Sequence, residues 1–254
     1  MGAIATVSKR DFRSYFSSFK GPAIIWFFLI FMGVFFFSFI YTFVELQQRA
    51  PVMGGSVPTL VQFLGAMFRN VQFILLLLVP AVTMSSFSEE SKVQSFRLLQ
   101  ASPISTFQIV MGKFLACVFV LSTALALSAV FPLFLVEYGN PDINVIATSY
   151  LGVFLLICSQ VALGIWISSM TSNQFLAFLF TMFGLFLLLI LNWIAPNITS
   201  NGEAETVVKY LASSIHLDPF LRGLVTVADT VYFFLFAGLF LLFTYISVES
   251  KRWR

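Results

Sequence analysis

The chain has 254 residues, of which 59% are hydrophobic and 10% charged, and its mean hydropathy is +0.95. Soluble domains need about 25% charged residues to coat their surface, so this composition excludes a water-soluble globule and leaves the bilayer as solvent. The net charge is +3; a single histidine, His216, excludes a multi-histidine metal site, and Cys117 and Cys158, each within an apolar run, read as small buried hydrophobes.

At the N-terminus, residues 5–20 place Phe12, Phe16 and Phe19 at i, i+4, i+7 spacing, with Lys9, Arg10 and Arg13 around them. This pattern predicts an amphipathic helix lying in the membrane interface, stopped by Gly21-Pro22. The first residues are polar and basic and the apolar run after them is too long for a leader, so no cleavable signal is expected.

Crossing a hydrocarbon core of about 30 Å takes roughly 20 apolar residues in a helix. Six segments meet that standard: 22–44, 71–87, 114–136, 145–170, 175–195 and 230–248. The second extends back toward Leu60, which leaves Arg69 and Asn70 at the outer interface. An arginine at mid-membrane would cost about 2.5–3.5 kcal/mol on insertion scales, so the interface is the cheaper place. The expected fold class is all-α: one polytopic membrane domain over 1–254, with six transmembrane helices and the N-terminal interfacial helix.

With the N-terminus in the cytoplasm, ten Lys and Arg residues fall inside and four outside: Arg49, Arg69, Lys209 and Arg222. That bias, with an even number of crossings, predicts that both termini are cytoplasmic.

The cytoplasmic loop 88–106 opens with Glu89-Glu90 and carries an apolar stripe of Val93, Phe96 and Leu99, with Leu98 beside it, before Pro103. The two acids read either as a solvated charge cluster or as the anchor of a helix that docks onto a cytoplasmic partner. The external loop 196–229 is expected to hold a helix over 204–214 and a turn at Asp218-Pro219. His216 and Asp218 lie near no obvious nucleophile and read as braces of that loop.

Gly112-Lys113 ends like a phosphate-binding loop, but Phe114 replaces the hydroxyl residue and Phe107 stands where a glycine is needed. The polar groups within the spans are Gln160, Asn192 and scattered serines and threonines, with no acid or base at mid-span. A proton- or sodium-driven carrier needs an ionisable relay there, and an ion channel of the charged-ring type needs its ring. Energy for any transport must therefore come from elsewhere. A self-sufficient carrier or channel is the alternative that this pattern disfavours.

Three stretches carry a more specific pattern. The first is Lys9-Arg10-Asp11-Phe12-Arg13-Ser14-Tyr15-Phe16. The second runs from Val79-Pro80-Ala81-Val82-Thr83-Met84 through Phe87-Ser88-Glu89-Glu90 to Ala101-Ser102-Pro103-Ile104-Ser105 and Met111-Gly112-Lys113. The third is His216-Leu217-Asp218-Pro219-Phe220-Leu221-Arg222-Gly223 with the tail Glu249-Ser250-Lys251-Arg252-Trp253. Together they resemble the permeases of type-2 ABC transporters, in the branch of gliding-motility-associated and multidrug-like permeases. One departure stands out: Gln94, Ser95, Phe96 and Arg97 occupy the place of the family's Gly-Thr-x-Glu.

The resemblance implies a permease subunit, an exporter in a bacterial inner membrane, without catalytic residues or a bound cofactor of its own. ATP and magnesium would act in separate cytoplasmic ATPase subunits, and a second permease copy or a paralogue would complete the pathway. Membrane lipid surrounds the chain, and nucleic acid has no part. Glu89, Glu90, Phe96, Arg97, Leu98 and Leu99 would contact the ATPase. Phe12, Arg13 and Phe16 would hold the entry helix at the interface, and His216, Asp218 and Arg222 would organise an outer gate. The branch also allows a non-transporting platform for an ATPase-driven machine such as gliding motility.

Overall fold

The computed structural model describes residues 2–53, 59–92, 105–139, 141–198 and 210–252. These form ten helices, and no strand occurs among the described residues. They are α1 (Ala3–Ser17), α2 (Lys20–Met53), α3 (Leu60–Thr83), α4 (Ser85–Lys92), α5 (Thr106–Leu127), α6 (Val130–Gly139), α7 (Ile143–Met170), α8 (Gln174–Ile198), α9 (Ser213–Leu221) and α10 (Val227–Arg252). Six stretches are long and apolar enough to cross a membrane: Lys20–Arg49, Leu60–Ser88, Thr106–Glu137, Ile143–Met170, Gln174–Leu191 and Val227–Lys251. The chain is an all-helical, multi-pass membrane protein by length and composition of its helices.

The break between α1 and α2 falls at Ser18-Phe19, not at Gly21-Pro22. Ser18 is extended (φ −107°, ψ 163°), and its hydroxyl oxygen accepts from the Lys20 N–H at 3.4 Å. Pro22 then sits in the first turn of α2, where a helix has no partner for its N–H groups, so proline interrupts nothing. Gly21 has a different use: a Cβ there would lie 2.7 Å from the Tyr15 carbonyl oxygen, so only glycine lets the two helix ends approach this closely.

α7 is the central helix. It packs against α3, α4, α5, α8, α9 and α10. Its register with α3 is parallel: Phe68 meets Tyr150 edge-on at 5.0 Å, Gly164 abuts Thr83, and the Phe87 N–H donates to the Ser168 hydroxyl at 3.2 Å. α10 runs parallel to α7 as well, with Trp166 against Phe240 and Phe243 and the Lys251 ammonium on the Ser169 carbonyl. The start of α5 meets the end of α10 where the Thr106 hydroxyl donates to Glu249 at 2.5 Å. These contacts bring α1, α4, the start of α5 and the ends of α7 and α10 to one end of the bundle, so the N-terminal helix and the chain's C-terminal helix end share it.

Burial separates inner from outer helices. In the most apolar window, 72% of α7 and 67% of α3 are buried, against 17% of α8 and 22% of α2. The outer faces carry Trp26, Phe37, Phe180, Phe183, Phe234 and Leu235, all largely exposed. In water such faces would cost about 25 cal/mol per Å²; hydrocarbon removes the penalty.

The segment between α8 and α10 departs from expectation at its turn. Asp218 and Pro219 lie inside α9, and the chain turns instead at Arg222-Gly223. Gly223 takes φ +86°, a left-handed conformation that glycine adopts without a Cβ clash, and its N–H bonds back to the Phe220 carbonyl at 3.2 Å. An Asp-Pro pair has no such freedom. Most of the helix expected over 204–214 lies outside the described residues.

Candidate functional site

At the end shared by α1 and the end of α10, α3 gives way to α4 through a break at Met84, four residues after Pro80. A helix end leaves carbonyls without backbone partners, and here side chains from other helices take them. The Ser168 hydroxyl of α7 donates to the Met84 carbonyl at 3.1 Å while accepting from the Phe87 N–H at 3.2 Å, so one group holds both sides of the break. Ser88 donates to the same carbonyl from within α4. The Tyr15 hydroxyl of α1 donates to the Val82 carbonyl at 2.6 Å. Burial pushes the Tyr15 phenol well above its usual range, so the group stays a donor.

Lys113 of α5 completes the junction. Its side chain is buried, and its ammonium donates to the Ser86 carbonyl at 2.7 Å, lies 3.5 Å from Asp11, and stands 5.1 Å from the centre of the Phe87 ring. A buried ammonium is tolerable only with such partners. Asp11 is shared with Arg10 at 2.8 Å. Lys113 stands one residue ahead of the third segment picked out by hydropathy, within α5, which begins at Thr106 behind the cap formed by Ser105 and Gln108. α1 packs on α5 so closely that a Cβ at Gly112 would lie 2.7 Å from the Val7 side chain.

The backbone of α4 carries Glu89 and Glu90 to Lys92. The side chains of those two acids, and all of Phe96, Arg97, Leu98 and Leu99, lie outside the described residues. Within α1, Phe12 is half-buried against Phe16 at 4.7 Å and Phe119 at 6.5 Å, whereas Arg13 and Phe16 are exposed.

At the opposite end, α9 is pinned by two polar contacts. His216, 3% exposed, places Nδ1 2.6 Å from the Asp229 carboxylate and Nε2 2.9 Å from the Tyr210 carbonyl, and its ring stacks on Tyr232 at 3.8 Å. Asp229 also accepts from the Thr226 hydroxyl. Asp218 pairs with Arg69 of α3 through Nε at 3.2 Å and Nη2 at 2.9 Å. Arg222 is exposed, and its backbone N–H closes the end of α9 on the Pro219 carbonyl at 3.0 Å. The three residues expected to work together are thus distributed over three contacts. With both ring nitrogens engaged and a carbonyl on Nε2, His216 is a brace and not an exposed base.

No family model matches the chain, and no characterised protein matches it in sequence.

Among the described residues no three His, Cys, Asp or Glu side chains gather as a metal site. Ser168, Lys113 and Tyr15 are the residues that sequence reasoning missed at the α4 junction. A serine in an apolar run and a basic residue near a span's start carry no local mark of their partners, which lie 84, 27 and 67 residues away.

Proposed function

We propose that the chain is the membrane-spanning permease subunit of an ATP-driven ABC transporter, an exporter of a bacterial inner membrane with both termini in the cytoplasm. One observation carries the reading: α4 is held at its first turn by α7 through Ser168 and by α5 through Lys113, and the end of α3 beside it by α1 through Tyr15. A short helix tied in this way passes a displacement of the loop after it into the bundle as a rigid movement. That loop contains Val93, Phe96 and Leu99, an apolar stripe that a partner's groove would bury.

In this mechanism two ATPase subunits bind ATP with magnesium and close on one another. Closure pushes the loop at Glu89, Glu90, Phe96, Arg97, Leu98 and Leu99. α4 carries the push across the Met84 break to α7, the helix in contact with most of the others. A second permease, identical or paralogous, completes the pathway. The Arg69–Asp218 and His216–Asp229 contacts hold the far end, where α9 closes over α3 and α7.

The reading is tested by affinity purification of the chain in mild detergent. A stoichiometric ATPase with a nucleotide-binding loop is expected, and the separated permease should hydrolyse no ATP. Hydrolysis by the isolated chain, or substrate movement by it under an ion gradient alone, would overturn the proposal.

A further inference from the structure

A groove of about 770 Å³ runs between α1 and α5. α1 contributes Ile4, Ala5 and Phe12 to it, and α5 contributes Leu115, Phe119 and Ala126. The two helices are locked together where Val7 meets Gly112 and where the Phe12 ring stands edge-on to Phe119 at 6.5 Å. α5 opens the crossing stretch Thr106–Glu137, and at 1.5 Å per residue Leu115 to Ala126 lie about 14 to 30 Å into it. The groove therefore flanks a part of α5 that hydrocarbon surrounds. Water is a poor filling: at about 30 Å³ of liquid per molecule the space would take on the order of 25, and an apolar wall offers them few partners.

Two hydroxyls interrupt the apolar lining. Ser8 is 5% exposed, and its hydroxyl has no hydrogen-bond partner among the described residues. The Ser122 hydroxyl is also buried and unpartnered there. Ser8 adjoins Lys9, which is exposed, lines the same groove and has no ion-pair partner among the described residues. These two neighbours mark the polar end. Ser122 instead shares its stretch of α5 with Phe119, which is 52% exposed. A cation, a buried free donor and an apolar trough match the phosphate, ester carbonyl and acyl chain of a phospholipid.

We propose that this groove holds one acyl chain of a membrane phospholipid, whose ester carbonyl accepts from the Ser8 hydroxyl and whose phosphate faces Lys9. The inference stands apart from the transport reading and does not need the ATPase. Surrounding lipid is as apolar as the groove, so the hydrophobic effect selects no single molecule. What selects one is contact with two helices at once and the hydrogen bond to Ser8.

The full chain, delipidated in mild detergent, is given one equivalent of phosphatidylcholine with a photoactivatable group on its acyl chain. After illumination, the labelled peptides are mapped by mass spectrometry. Label should concentrate in residues 2–12 and 115–126 over the outer faces at Phe180, Phe183 and Phe234. Ser8→Ala should lower labelling of the groove about fivefold, the worth of one hydrogen bond, and Ser8→Thr should retain it. Ser122→Ala faces the chain with a methyl group in place of an unpartnered hydroxyl, and should leave labelling unchanged or raise it. Each variant is compared at an unchanged melting temperature. Even labelling of all outer faces would mean bulk lipid contact only and would overturn the proposal. So would crosslinks from these residues to a second copy of the chain, or a loss in Ser122→Ala equal to that in Ser8→Ala.

Discussion

Ser168 shows how much one hydroxyl can hold. It accepts from the Phe87 N–H and donates to the Met84 carbonyl, both at a buried break between helices. Ser168→Ala leaves that N–H without a partner, which costs about 1–3 kcal/mol. Ser159→Ala is the matched control, since the Ser159 hydroxyl is also buried but donates only to Leu156 of its own helix. In thermal unfolding in detergent, the Ser168 variant should melt measurably lower than the Ser159 variant; equal melting would remove the stitch from the mechanism. None of this was readable locally. The charged residues Asp11, Lys113, Asp218 and Asp229 stand out in an apolar chain, but Asp218 meets Arg69 across 149 positions, and only the packing of the helices brings such groups together.

Among the elements, close packing against α7 depends on small residues. A Cβ at Gly164 would lie 2.4 Å from the Thr83 hydroxyl oxygen, and that side chain is β-branched and bonded to the Val79 carbonyl. Gly164→Ala should therefore destabilise by about 1–3 kcal/mol as overpacking, less up to about 1 kcal/mol gained in helix propensity. Gly238 has nothing within 4 Å of its ideal Cβ. Gly238→Ala keeps the propensity gain alone and should melt at or above the parent. A lower melting point for Gly238→Ala than for Gly164→Ala would contradict the packing described. The six crossing helices were legible because length and hydropathy decide them, and the N-terminal helix because Phe12 and Phe16 stand at helical spacing, although Phe19 falls in the break after it. The helix breaks were less legible. Gly21-Pro22 and Asp218-Pro219 look like stops, yet proline costs little in a first turn and is accommodated near the end of α9, two residues before Leu221. The working stops were an extended serine and a left-handed glycine.

For the whole molecule, the division into a buried pair, α3 and α7, and outer helices rich in exposed phenylalanine fits a bundle whose solvent is hydrocarbon. The composition foretold that solvent, whereas the choice of α7 as the centre follows from packing that hydropathy does not encode: α7 and α8 are both strongly apolar, but only α7 is mostly buried. The proposed function adds a direction to this architecture, with force entering through the loop after α4 and leaving through α7. Phe96 lies at the middle of that loop's apolar stripe, and burying a phenylalanine is worth about 1.5–3 kcal/mol, enough to decide whether a helix stays docked. The most direct measurement is therefore the amount of ATPase that co-purifies with Phe96→Asp relative to the parent chain, at matched membrane insertion. The mechanism predicts that the ATPase is lost from the variant. An undiminished, stoichiometric ATPase would mean that the loop is not where the engine pushes.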